Sequence, residues 1–290
     1  MVSAHLTAIG FQCLSVAFIA VVDTSAKYLT DDLHPVQIVW GYSTAIFLHI
    51  ALFAAWRGAR GPVPFGALVR TRRPVMQLAR AGLLVITISL LFAGFVWLPI
   101  AEATVLNFMA PIFVALLSAP LLGERVDAHR WLAVAAGFAG VIVIVRPGSG
   151  IAHFAALFPL ASALSFAGFQ LMTRIVSRTD STLATVFHTG AGTCLWSSLI
   201  VPFVWTPMSG RQWLGFAVLG TLGTCAHICL VRAFTLAPAA LVSPFTYTKL
   251  LWVTILGFFV FGDLPGANTL AGSALIVAGG LYVVHRERRA

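Results

Sequence analysis

Charge is what this sequence has least of. Only 9% of its 290 residues are Asp, Glu, Lys or Arg, against about 25% in a typical soluble domain. The chain therefore lacks the polar surface that water demands. Acids are scarcer than bases, nine against eighteen. Cysteine is sparse too. Cys225 and Cys229 stand one helical turn apart, but with no CxxC or HExxH pattern all four cysteines read as small buried residues. No metal and no cofactor are expected. GxSG, GxGD and P-loop patterns are absent, which argues against an intramembrane hydrolase and an ATP-driven pump. No ring of repeated charge or carbonyl filter favours a channel. The start, "MVSAHLTAIGFQCL", has no basic n-region, so no cleavable signal is expected.

What is present is apolar: 59% of residues, with mean hydropathy +0.95. Runs such as "LARAGLLVITISLLFAGFVWLPIA" hold most of the ~20 residues that a bilayer span needs. Ten spans are predicted, at about 5–27, 34–56, 75–97, 101–121, 128–146, 151–175, 182–205, 211–232, 239–261 and 266–284. They show no strand-like alternation, and backbone polar groups in lipid must be satisfied locally, so helices are expected. The fold class is all-α and polytopic.

The net charge of +9 need not mean nucleic acid. With both termini in the cytoplasm, fourteen of the eighteen basic residues fall on the inner side, six of them (Arg57, Arg60, Arg70, Arg72, Arg73 and Arg80) assigned to the loop between the second and third spans. That bias sets orientation, and ten spans place both termini on one side. The expected partners are a lipid bilayer and a small-molecule substrate, with no nucleic acid and a monomeric chain.

The sequence repeats. "PIAEATVLNFMAPIFVALLSAPLLGERVDAHRWLAVAAGFAG" at 99–140 aligns without a gap to "PAALVSPFTYTKLLWVTILGFFVFGDLPGANTLAGSALIVAG" at 238–279. Pro99 matches Pro238, Leu117 matches Leu256, Gly123 matches Gly262, and Glu124 corresponds to Asp263. A weaker match joins "SAKYLTDDLHPVQ" to "MTRIVSRTDSTLA". Two five-helix halves follow, residues 1–148 and 149–290. Because five is odd, the second enters the membrane inverted, the arrangement of many secondary transporters, with a site near the midplane.

The halves carrying "LNFMAPIFVALLSAPLLGE" and then "WLAVAAGFAGVIVI" resemble EamA-type domains of the drug/metabolite transporter superfamily. The resemblance covers the whole chain. It implies ten helices around a central cavity lined chiefly by helices 1, 3, 4, 6, 8 and 9. It also implies export of small metabolites, amino acids above all, across a bacterial inner membrane, by facilitated or proton-coupled alternating access. Nucleosides, purines or drugs are the alternative cargo. Two departures stand out: Asp263 where Glu is usual, and Lys249 where the first copy has Ala110.

Lys249 is the central candidate. It lies about ten residues from the inner end of the ninth span, ~15 Å deep, where a stem reaching ~6 Å cannot snorkel out. It either lines the cavity and attracts a carboxylate, or is structural and bonded to carbonyls or an acid. Phe245, Thr246 and Trp252 share its helical face. Asn107 corresponds to Thr246 in the repeat, and Phe108 to Tyr247, which adds Asn107 to the lining. Gln12 and Asp23 make a polar stripe on the first span. Asp23 reads as a helix-end acid near Lys27, with a proton or substrate-amine role as the alternative. A direct pair with Lys249 looks strained, since the depths differ by ~12 Å. Pro111 and Pro244 are expected to bend their spans. His188 and His227 share a depth and could meet as a proton relay, although packing is favoured. Trp40 and Trp97 read as interface anchors.

Overall fold

The computed structural model describes residues 2–122, 128–145, 154–237 and 242–287, whose regular structure is all helical with no strand among them. The helices are α1 (Val2–Leu29), α2 (Pro35–Arg60), the short α3 (Phe65–Leu68), α4 (Pro74–Trp97), α5 (Ile100–Asn107), α6 (Ala110–Leu122) and α7 (Ala128–Val145). They continue as α8 (Leu157–Val176), α9 (Thr182–Ile200), α10 (Gly210–Leu236), α11 (Lys249–Phe261) and α12 (Ala267–Glu287). Short 3-10 turns cover Val201–Val204 and Ser243–Thr248. Among the described residues, four helices have the length and hydropathy to cross a membrane: His5–Leu29, Pro35–Arg60, Pro74–Trp97 and Gly210–Leu230. The first-copy Gly123–Glu124 turn and Pro238 lie outside the described residues.

Local chemistry sets the helix ends. Pro opens α2 and α4, where a missing N–H costs nothing. Ser181 caps α9 by accepting from the Ala184 N–H, and Ser209 with Gln212 forms a reciprocal capping box on α10. α11 stops at Gly262, whose φ of 73° is left-handed. There Gly262 N–H donates to Phe258 O, the bond of an αL cap, and Asp263 N–H to Gly257 O.

Two predicted spans are broken. The fourth is interrupted between Asn107 and Ala110, and the ninth opens with the 3-10 segment before becoming α11. Pro111 sits in the first turn of α6, so it starts that helix instead of bending its interior, and Pro244 lies in the first turn of the 3-10 segment.

The extensive helix contacts join early helices to late ones. α1 packs on α10, α4 on α8, α2 on α9 and α10, and α7 on α12. Small residues permit the last of these. A Cβ on Gly140 would press on the Gly272 carbonyl at 2.7 Å, and one on Gly272 on the Gly140 carbonyl at 2.6 Å. One contiguous apolar core runs through the middle, with Ile38, Phe92, Ile100, Leu106, Met109, Ile112, Leu219 and Ile276 essentially inaccessible.

Candidate functional site

Three polar residues of α1, Gln12, Asp23 and Lys27, meet the segment from 243 to 263. Gln12 Nε2 donates to Thr246 Oγ1 at 2.9 Å. Lys249 Nζ lies 2.5 Å from Asp23 Oδ2, with side chains only 12% and 6% exposed. Lys27 Nζ donates to Asp263 Oδ2 at 2.9 Å and to Leu98 O at 3.3 Å. Asp23 is thus the partner of Lys249, contrary to the sequence expectation that placed it beside Lys27 at a helix end. The 3-10 segment accounts for part of the difference. Six residues rising about 2.0 Å each, instead of 1.5 Å, carry Lys249 ~3 Å further along the axis. A lysine stem of ~6 Å and the N–O distance itself cover the rest of the ~12 Å.

Two buried polar atoms on the same two segments have no partner among the described residues: Gln12 Oε1 and the Tyr247 hydroxyl. An unpartnered buried polar group costs about 1–3 kcal/mol. Their hydrogen-bonding capacity is available to a bound molecule. The Tyr247 ring meets Phe108 edge-on, centroids 5.1 Å apart at 82°, so the two aromatic residues that correspond in the sequence repeat touch one another. Gly280 gives Tyr247 its room, because a Cβ there would collide with the phenol. Tyr42, buried on α2, is within electrostatic reach of Asp23.

Asn107 belongs to a second polar group. Its Nδ2 donates to Ser162 Oγ at 2.9 Å, and Ser162 Oγ donates to Thr87 O at 2.7 Å, linking α5, α8 and α4. Phe245 is half-buried, while Trp252 is exposed. The two histidines do not meet. His188 Nε2 lies 2.9 Å from Val69 O, and the exposed His227 has Nδ1 2.9 Å from Gly223 O in its own helix. Trp40 does more than anchor: it donates to Ser198 and meets Trp205 and Trp213 edge-on.

Sequence reasoning missed Arg80, which it assigned to a loop. Arg80 is 1% exposed within α4. Its guanidinium donates to Gln77, Thr173, Thr189 and the Thr185 carbonyl, and its Cζ lies 5.0 Å from the centroid of the Phe169 ring. Only its place seven residues into a span hinted at this. Ser162 had a weak signal in the repeat, Tyr42 none. Among the described residues no cluster of His, Cys, Asp or Glu can hold a metal ion.

Long apolar helices, a contiguous apolar core and a buried ion pair within it define a multi-pass membrane protein. The chain belongs to the EamA-like transporter family, whose profile matches residues 6–146 and again 153–284. Among curated relatives, a riboflavin transporter of Rhizobium johnstonii is 31% identical over 77% of this chain and 74% of its own. An S-adenosylmethionine uptake transporter of Rickettsia felis is 26% identical over 99% and 95%. A pseudopaline exporter of Pseudomonas aeruginosa is 30% identical over 64% and 66%. A crystal structure of 20% identity superposes with a TM-score of 0.64 over 99% of both chains, evidence of a shared fold.

Proposed function

We propose that this chain carries small zwitterionic metabolites, amino acids first among them, across a bacterial inner membrane by alternating access. One observation carries the reading: a buried Asp23–Lys249 pair, on segments that also carry the unspent polar atoms of Gln12 and Tyr247. A cargo bearing an ammonium and a carboxylate offers each charge a replacement partner. The ammonium takes the place of Lys249 against Asp23, and the carboxylate takes the place of Asp23 against Lys249. The exchange leaves no charge unpaired in the low-dielectric interior at either stage. S-adenosylmethionine, the cargo in one relative's name, contains an amino-acid group. Riboflavin, in another, does not, and a flat ring system packing on Phe108 and Tyr247 is the second reading.

The machinery in this reading is ten spans in two inverted halves, 1–148 and 149–290, with both termini cytoplasmic and the chain acting as a monomer. Several observations support it. The family profile matches twice. Both copies of the aligned segment break at the same place, around Phe108 and Tyr247. Ser15 donates to Ala226 O just as Ser162 donates to Thr87 O, and Ala226 aligns with Thr87 at the offset that relates the two copies. The helix contacts map onto themselves when the halves are exchanged: α1 on α10 answers α8 on α4, and α2 on α10 answers α9 on α4.

The test is counterflow with purified protein in liposomes, against labelled amino acids, S-adenosylmethionine, riboflavin and nucleosides, with and without a pH gradient. Exchange of amino acids that Lys249→Met abolishes is the expected result. Exchange confined to cargo without an amino-acid group sinks the zwitterion assignment. Accumulation driven by a pH gradient and lost in Asp23→Asn marks the transport as proton-coupled.

A further inference from the structure

Residues 61–73, which join α2 to α4 through α3, are pinned at three points. The Phe65 ring packs edge-on against Phe187, with centroids 5.7 Å apart. His188 meets the Val69 carbonyl. Asp180 accepts from the Thr71 hydroxyl, from the Arg72 backbone N–H at 3.0 Å and from the Gln77 amide at 2.9 Å. On the connection's own side, every one of these anchors uses backbone or a neutral side chain. The guanidinium groups of Arg57, Arg70, Arg72 and Arg73 stay out of them. They are exposed, with no acidic partner among the described residues.

Asp180 does not compete for them. Partial burial acts to raise its pKa, but hydrogen bonds from Thr71, Arg72 N–H, Gln77 and Thr179 outweigh that and bring it down from 3.8 to about 2. Both of its oxygens are engaged in doing so.

Between this connection and the turn before α9 lies a cleft of about 450 Å³, lined by Arg70, Thr71, Arg72, Thr179, Asp180 and Ser181. It is lined by two arginines, and Asp180 braces its two walls through Thr71 and the Arg72 N–H. Exposed Val63, Phe65 and Val75 on the same connection and the start of α4 supply apolar surface suited to a bilayer edge. Orientation bias explains why arginines collect at one end of a membrane protein. It does not explain a braced cleft whose walls come from both sides of the chain's midpoint. Planar guanidinium forks match a phosphate group.

We propose that this cleft binds a phosphate-bearing anion, foremost the headgroup of an acidic phospholipid, and that the bound group clamps the 61–73 connection to the turn before α9. A ligand that grips both walls favours whichever conformation keeps them together. Acidic lipid thereby biases the transport cycle, a consequence that rests on the alternating-access reading. The binding itself does not.

The full chain in neutral detergent is titrated with short-chain phosphatidylglycerol, short-chain phosphatidylcholine and inorganic phosphate, and its thermal unfolding is followed. Native mass spectrometry of retained lipid gives a second readout that is independent of unfolding. Phosphatidylglycerol should raise the midpoint saturably and phosphatidylcholine should not. Arg70→Gln with Arg72→Gln should weaken the apparent affinity roughly 30-fold, and Arg57→Gln with Arg60→Gln, an equal loss of charge away from the cleft, by less than about 3-fold. Stabilisation by phosphate alone, abolished in the first variant only, supports the site and assigns it to free anions. Equal weakening by both variants, or no response that depends on Arg70 and Arg72, overturns the proposal.

Discussion

Two ion pairs leave α1 one helical turn apart, and physically they are opposites. Asp23 holds Lys249 at the first residue of α11, with both side chains nearly inaccessible. Lys27 holds Asp263 two residues past the end of α11, where the acid's side chain is 35% exposed. The outer pair has an evident structural use. Lys27 also donates to Leu98 O and lies 4.7 Å from the centroid of the Phe261 ring, so it ties three chain segments at the bundle's end. The inner pair has no such excuse. Both charges are taken out of water there, and apolar residues of similar volume usually fill such a site with equal or better stability. An ion pair as such therefore says little. Its burial, and the unpartnered Gln12 and Tyr247 atoms on the same segments, carry the functional argument.

The largest effects should follow from breaking the inner pair one side at a time. Asp23→Asn or Lys249→Met leaves a single buried charge, which costs about 3–5 kcal/mol of stability and should cut counterflow by at least ~10-fold. Removing both, Asp23→Leu with Lys249→Met, should recover most of the lost melting temperature while counterflow stays down. That split between stability and transport separates the inner pair from a merely structural one. A double variant that exchanges cargo at the wild-type rate makes the pair a packing feature.

A middle-sized effect should come from moving the pair without touching its charges. Gly280→Ala pushes against the Tyr247 phenol, two residues before Lys249 in the 3-10 segment that sets the lysine's height. Overpacking of this kind costs about 1–3 kcal/mol. Adding Tyr247→Phe removes the colliding hydroxyl and should restore most of the melting temperature. If Gly280→Ala melts like the wild type, the segment has slack and does not fix the position of Lys249.

The sequence made the helices plain because lipid leaves few choices: apolar runs of the right length must be helical, and their ends carry Pro, Ser and Gly signals. It also made Lys249, Gln12 and Thr246 visible, since isolated polar residues in such runs need company. What it hid was partnership. The Asp23–Lys249 pairing depended on a 3-10 segment, and "SPFTYT" does not announce a change of rise from 1.5 to 2.0 Å per residue. Arg80 was hidden by proximity to a charged loop: counted along the chain it is one more inner-side arginine, and only the surrounding Gln77, Thr173, Thr185 and Thr189 reveal a buried group. Asn107 was found by symmetry, but its bond to Ser162 shows that corresponding positions need not share a site.

The smallest effect belongs to the outer pair. A partly exposed pair contributes on the order of 0–1 kcal/mol, so Lys27→Met or Asp263→Asn should lower the melting temperature slightly and leave counterflow within about 3-fold of wild type. Salt sharpens the contrast further. At 1 M the Debye length is about 3 Å, so raising ionic strength from 0.1 M should erase most of the stability difference between wild type and Lys27→Met. The same salt cannot reach Asp23 and Lys249, and the deficit of Lys249→Met should survive it. Charge reversal gives the complementary check, because Lys27→Asp combined with Asp263→Lys restores the attraction at the bundle's end. If Lys27→Met instead stops transport as thoroughly as Lys249→Met, and the reversal revives it, the outer pair is a moving gate and depth is the wrong measure of function in this protein.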